Sequence, residues 1–117
     1  MPLRVLIIDD DPGFRQAARE LLRVRGYAVV ADAHDGPSAI AAVELLQPDA
    51  VLLDIRLGPD DGFDVARAVA RTRPGTAVLL TSANDYHGCD DALRLAGARG
   101  FVLKSDLLST DFTDYWP

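Results

Sequence analysis

Short apolar runs alternate with helix-patterned stretches along this chain, and that alternation leaves few architectures open to it. Val5-Leu6-Ile7-Ile8 runs into Asp9 and Asp10, and Ala50-Val51-Leu52-Leu53 runs into Asp54. Ala77-Val78-Leu79-Leu80 runs into Thr81 and Ser82, and Phe101-Val102-Leu103 runs into Lys104. Continuous apolar runs of this length read as parallel strands buried on both faces. Each ends on a residue that can do chemistry.

The stretches between the runs keep helical spacing. From Pro12 to Arg25, the residues Phe14, Ala17, Ala18, Leu21 and Leu22 form one apolar stripe, with Gly26 as a stop. Residues 27–31 read as a second strand. Asp35-Gly36-Pro37 opens a helix striped by Ala39, Ile40, Val43 and Leu46, and Pro48 ends it. Gly58-Pro59-Asp60-Asp61-Gly62 reads as a turn cluster. A third helix follows with Phe63, Ala66, Val69 and Ala70, and a fourth is expected from about Asp85 to Ala96. In the tail, Leu108, Phe112, Tyr115 and Trp116 keep the spacing of a short fifth helix. Ser109, Thr110 and Thr113 are mediocre helix formers, so that helix should be atypical.

Strict βα alternation predicts a parallel sheet with right-handed crossovers and helices on both faces. Five strands fit a flavodoxin-like (βα)5 three-layer sandwich in the order 2-1-3-4-5, with strands 1 and 3 adjacent at the switch point. Ligands bind there, just outside the carboxyl ends of the strands. Asp9, Asp10 and Asp54 would then sit together, with a hydroxyl and an ammonium nearby. That set suits a divalent cation and a transferred phosphoryl group.

The chain has 117 residues, 49% hydrophobic and 26% charged, which suits one folded domain over residues 1–117. Its net charge is 12 − 18 = −6, and no Lys/Arg-rich stretch exists, so no nucleic-acid surface is expected. A lone cysteine, Cys89, excludes an internal disulfide and reads as a semi-exposed thiol. No apolar run approaches the ~20 residues needed to span a bilayer. No export leader is evident, and a cytoplasmic location is expected.

Asp11, ahead of Pro12, reads as a helix cap. The preceding pair competes between a solvated acidic turn and a metal site. Mg²⁺ favours one or two carboxylates plus water and phosphate oxygens, and a third carboxylate on a neighbouring strand tips the balance to metal. Asp54 ends an apolar strand, where an unpaired charge is costly, so it requires a counter-charge or ligand. A carboxylate there can also be a nucleophile toward a phosphoryl group. Lys104 reads either as an exposed strand-end lysine or as the cation of that pocket.

This order of residues resembles the receiver domain of two-component response regulators, and its local motifs are similar to those of the NarL/FixJ group. The strings VLIIDDDPGFR, VLLDIRLGPDDGFDVA, LLTSAND and GARGFVLK carry the resemblance, which runs from Arg4 to about Leu108. The resemblance implies that Asp54 accepts a phosphoryl group from a histidine kinase or a histidine phosphotransfer protein. Asp10 would bind Mg²⁺ directly and Asp9 directly or through water, with Asp54 and the backbone carbonyl of Arg56 completing the protein ligands. Ser82, 22 residues before Lys104 and followed by Ala83, would hold phosphoryl oxygens together with Lys104. Phe101 matches an aromatic switch position, although a plain strand aromatic is an equal reading. Gly62 matches the glycine eight residues after the phosphoacceptor. A downstream protein partner and a phosphorylation-dependent homodimer are implied.

The chain departs from the family where Gly58-Pro59 replaces the usual Pro-Gly, and where Ser105 follows the lysine in place of the common proline. The short tail bears on dimerisation, since the fifth helix often builds the active interface. With no output domain read in these residues, the expectation is either action through a protein partner or a chain that is an excised or truncated piece. Two competing readings are a haloacid-dehalogenase-like phosphoaspartyl phosphatase and a receiver-like module that is never phosphorylated. The first expects Asp-x-Asp-x-Thr after strand 1, which Asp9-Asp10-Asp11-Pro12 does not supply. The second is disfavoured by the intact acidic set.

Overall fold

The computed structural model describes residues 2–84 and 90–117. Cys89 and the start expected for the fourth helix at Asp85 lie outside the described residues.

Five parallel strands form the central sheet: β1 (Arg4–Ile8), β2 (Ala28–Ala33), β3 (Ala50–Asp54), β6 (Ala77–Ser82) and β7 (Gly100–Leu103). Two further strands, β4 (Arg56–Leu57) and β5 (Asp60–Asp61), pair only with each other. The sheet order is β2-β1-β3-β6-β7. Counting only its own strands, that is the flavodoxin-like 2-1-3-4-5 order expected from the sequence. The second strand starts one residue later and runs two residues further than the expected 27–31, because Ala33 O accepts from Asp9 N–H and extends the pairing.

Alternation along each strand builds a three-layer sandwich with a core on each side of the sheet. Leu6 and Ile8, Val51 and Leu53, and Val78 and Leu80 join one cluster with α2 (Gly36–Leu46) and α3 (Gly62–Thr72). Ala96, just beyond α4 (Asp90–Leu95), joins it too. Val5 and Ile7, Ala50 and Leu52, and Ala77 and Leu79 join the other with α1 (Pro12–Val24) and the C-terminal tail. The interiors of β1, β3 and β6 are nearly solvent-free, which is why they carry no polar alternation, whereas the edge strand β2 exposes Asp32.

The helix starts follow their caps. Asp11 accepts from Gly13 N–H at 2.9 Å ahead of Pro12, as expected for that residue. Asp35 accepts from Ser38 N–H at 2.8 Å, and Ser38 Oγ returns a bond to Asp35 N–H at 3.2 Å, a capping box.

Two regions differ in detail from the sequence pattern. The cluster at 58–62 is a small hairpin, with Gly58 at φ +63° in its turn. The fifth helix is two 3₁₀ segments, Lys104–Ser109 and Phe112–Asp114. The tighter 3₁₀ winding buries Leu107 in place of Leu108, which is 78% exposed. Phe112 stacks on Trp116 at 5.0 Å, and both meet the edge of Tyr27. Arg25 fastens the tail by donating to Thr110 O and Leu108 O and lying over the Phe112 ring.

Candidate functional site

Strand register decides which side chains meet. Ile8 pairs with Leu53, so Asp9 and Asp54 emerge side by side at the carboxyl ends of β1 and β3. Asp54 pairs with Thr81 on β6, and Ser82 pairs with Leu103 on β7, immediately before Lys104. One end of the sheet therefore collects residues from four distant stretches.

Asp9, Asp10 and Asp54 each offer a carboxylate oxygen within 4.8 Å of the others. Two oxygens on one Mg²⁺, each bonded at about 2.1 Å, lie at most about 4.2 Å apart, so the cluster is close to the size of a coordination shell. Asp9 is fully buried, Asp54 nearly so, and Asp10 opens the cluster to solvent. Asp9 Oδ1 accepts from Asp11 N–H at 2.9 Å. Its Oδ2 is sealed from solvent without a well-aligned hydrogen bond, and Lys104 Nζ stands 2.7 Å away as counter-charge. Asp54 Oδ1 accepts from Arg56 N–H at 3.2 Å, and its Oδ2 lies 3.4 Å from the same ammonium. One lysine thus faces two buried carboxylates, which leaves room for further positive charge. Hard oxygen donors in that charge state fit Mg²⁺ or a similar divalent cation.

The electrostatics follow. Burial pushes the Asp54 carboxyl above its ordinary range, and the adjacent Asp9 charge adds to the rise. The Arg56 N–H and Lys104 oppose this without cancelling it. For Lys104, burial works against the charged form, yet bonding and attraction to Asp9 and Asp54 outweigh it and hold the ammonium above its usual range.

The remaining expected residues fall around this centre. Ser82 is buried at the end of β6, where its Oγ accepts from Asn84 N–H at 3.1 Å. Thr81, the competing hydroxyl, donates to Val102 O at 2.7 Å and is committed to holding β7. Phe101 is half-buried on β7, opposite Leu80, against the core shared with α2 and α3. Arg56 lies on the hairpin, whose far end is tied down where Asp60 accepts from Gly36 N–H at 2.9 Å. Gly62 donates to Ile55 O at 2.7 Å just behind Asp54.

Two neighbours were not singled out by the sequence. Arg15 donates to Asp9 O at 2.7 Å and reaches Asp32 at 3.7 Å. Phe14, legible only as part of an apolar stripe, places its ring 4.1 Å from Lys104 Nζ. The signal available was their position in the first turn after the Asp9-Asp10 strand end.

Fold and site together define a doubly wound α/β domain whose acidic centre and lysine lie at the switch point. The sequence profile of the response regulator receiver domain matches residues 5–109. The chain is 37% identical over 112 residues to the transcriptional regulatory protein PdtaR of Mycobacterium tuberculosis, covering 92% of this chain and 54% of the relative. It is 36% identical over 104 residues to the nitrate/nitrite response regulator protein NarP of Escherichia coli, covering 88% and 48%. A two-component response regulator of the LuxR family from Aurantimonas superposes with a TM-score of 0.86 at 29% identity, covering 93% of this chain and 79% of that one. A CheY-like receiver domain protein from Methanospirillum hungatei gives 0.81 at 25% identity, covering 93% and 90%. This chain belongs to the response regulator receiver domain family. It is a domain of the signalling class, and the phosphatase alternative is not favoured. The chain spans about half the length of the curated relatives it matches. Among the described residues, no helix is long and apolar enough to cross a membrane.

Proposed function

We propose that this domain is a phosphorylation-driven switch in which Asp54 accepts a phosphoryl group from a histidine kinase or a histidine phosphotransfer protein. The observation that carries this reading is the convergence of Asp9, Asp10 and Asp54 on one point, with Lys104 bridging the two buried members. Asp9, Asp10, Asp54 and the Arg56 carbonyl would hold Mg²⁺, which offsets charge on an incoming phosphoryl group.

The protein's own groups do the rest. Lys104 leans toward Asp9, so Asp54 Oδ2 is only loosely covered and can reach a phosphorus atom. The Arg56 N–H holds the other Asp54 oxygen and fixes the plane of the carboxylate. After transfer, Lys104 and Ser82 donate to the new oxygens, Ser82 turning its O–H toward the phosphoryl group and giving up the bond it accepts from the Asn84 amide. Space left beside Ser82 admits the Phe101 ring, and the surface formed by β6, β7 and α4 then favours a different protein partner or a second copy of the chain. No nucleic-acid contact is assigned to these residues.

Beryllofluoride with Mg²⁺ tests this by mimicking the phosphoryl group. Amide NMR should show shifts at Asp54, Ser82 and along β7 through Phe101. A spectrum that stays unchanged, or changes equally in Asp54→Ala, contradicts the reading.

A further inference from the structure

We infer that Phe14 is a positioning residue for Lys104: its ring holds the ammonium inside the acidic pocket through a contact that uses none of the ammonium's donors. The inference rests on the phosphoacceptor reading above and adds a residue to it. Lys104 Nζ lies 4.1 Å from the Phe14 centroid, well inside the roughly 6 Å reach of a cation–π contact. The same atom is 2.7 Å from Asp9 Oδ2 and 3.4 Å from Asp54 Oδ2. The ammonium is thus held at three points, two of them carboxylates and one a π face.

The chemistry of the third point matters. A lysine ammonium has three N–H donors and no acceptor, on a stem with four rotatable bonds. Its side chain is 20% exposed, so an outward route to water is open. An oxygen acceptor at position 14 would also retain it, but by occupying a donor. An aromatic ring attracts the charge through its quadrupole and leaves the donors for Asp9, for Asp54 and for a phosphoryl oxygen.

Local structure explains how the ring arrives there. The Asp11 cap and Pro12 fix the first turn of α1 directly after the Asp9-Asp10 strand end. Phe14 in that turn is half-buried against the α1-side core. It lines a cavity of about 260 Å³ with Ala17, Ala18, Leu21, Lys104, Leu107 and Leu108. The ring is therefore set by helix packing, independent of whatever occupies the acidic site.

The test compares the wild-type chain with Phe14→Leu, Phe14→Tyr and a chain carrying trifluorinated phenylalanine at 14, which keeps the ring's shape but cancels its quadrupole. The readouts are the rate of Asp54 labelling at saturating acetyl phosphate and Mg²⁺, the Mg²⁺ affinity, and the proton shifts of the Lys104 ε-methylene. Phe14→Leu and the fluorinated chain should label roughly three- to tenfold more slowly, the range a contact of this kind carries, with Mg²⁺ affinity unchanged. The Lys104 ε protons should move downfield in Phe14→Leu as the ring current is lost, and Phe14→Tyr should restore the rate. If Phe14→Leu fails to fold, the fluorinated chain decides alone. Labelling at the wild-type rate in the fluorinated chain, or a Phe14→Tyr as slow as Phe14→Leu, overturns the inference and leaves the phosphoacceptor reading standing. A wild-type chain that takes no label overturns both.

Discussion

A methyl group at position 62 would sit 2.5 Å from the carbonyl oxygen of Asp54, 2.5 Å from Ile55 Cα and 2.7 Å from Ile55 O. All three are backbone atoms that cannot swing aside, so only glycine lets α3 start directly behind Asp54. Gly62→Ala should cost about 2 kcal/mol or more of stability, in the range of overpacked interiors, read as a lower urea midpoint. Asp54 shows the opposite tendency. Its carboxyl is raised in the folded state, so folding favours the protonated form, and the ionised form costs stability above the folded pKa. That cost disappears as pH falls through the folded pKa toward the unfolded value near 3.9. Asp54→Asn should therefore melt higher than wild type at neutral pH, and its advantage should vanish by pH 3. An Asp54→Asn chain less stable at pH 7 would show that Lys104 pairing dominates the site. The two carboxylate positions were legible because each ends an apolar run. Phe14 was not, since a stripe residue and a cation-holding ring look alike in one dimension.

At the scale of elements, the strands and helices α1–α3 were readable because buried runs, caps and prolines coincide there. The hairpin and the tail were not. Two-residue strands are too short to show alternation, and Arg56–Leu57 is held by backbone pairing with Asp60–Asp61 that no side-chain pattern records. Asp60 extends that hold to α2 through its bond to Gly36 N–H. Asp60→Ala should lose about 1 kcal/mol and weaken Mg²⁺ binding by loosening the loop that carries the Arg56 carbonyl, as titration calorimetry would show. In the tail, 3.6-residue spacing pointed to Leu108, Phe112, Tyr115 and Trp116; Phe112 and Trp116 are buried as expected, but 3₁₀ winding and the Arg25 clamp bury Leu107 in place of Leu108. The ring cluster with Tyr27 replaces the buried stripe that a full helix would supply. Phe112→Ala should cost about 3–5 kcal/mol, a marked loss in thermal melting, while Leu108→Ala should cost little.

At the scale of the whole molecule, a sheet with no polar residue in its central strand interiors ends in a pocket where like charges are forced together. Burial and crowding leave that pocket short of positive charge, and one lysine, set by a helix on one side of the sheet, only partly balances it. On the proposed reading, the same charge deficit would draw a divalent cation and leave Asp54 receptive to an electrophilic phosphorus. The most direct test is intact-protein mass spectrometry after incubation with acetyl phosphate and Mg²⁺. The expected result is one phosphoryl group labile to base and to hydroxylamine, located on Asp54, absent in Asp54→Ala and not formed when Mg²⁺ is chelated beforehand. A chain that remains unmodified, or carries the same label in Asp54→Ala, would contradict it.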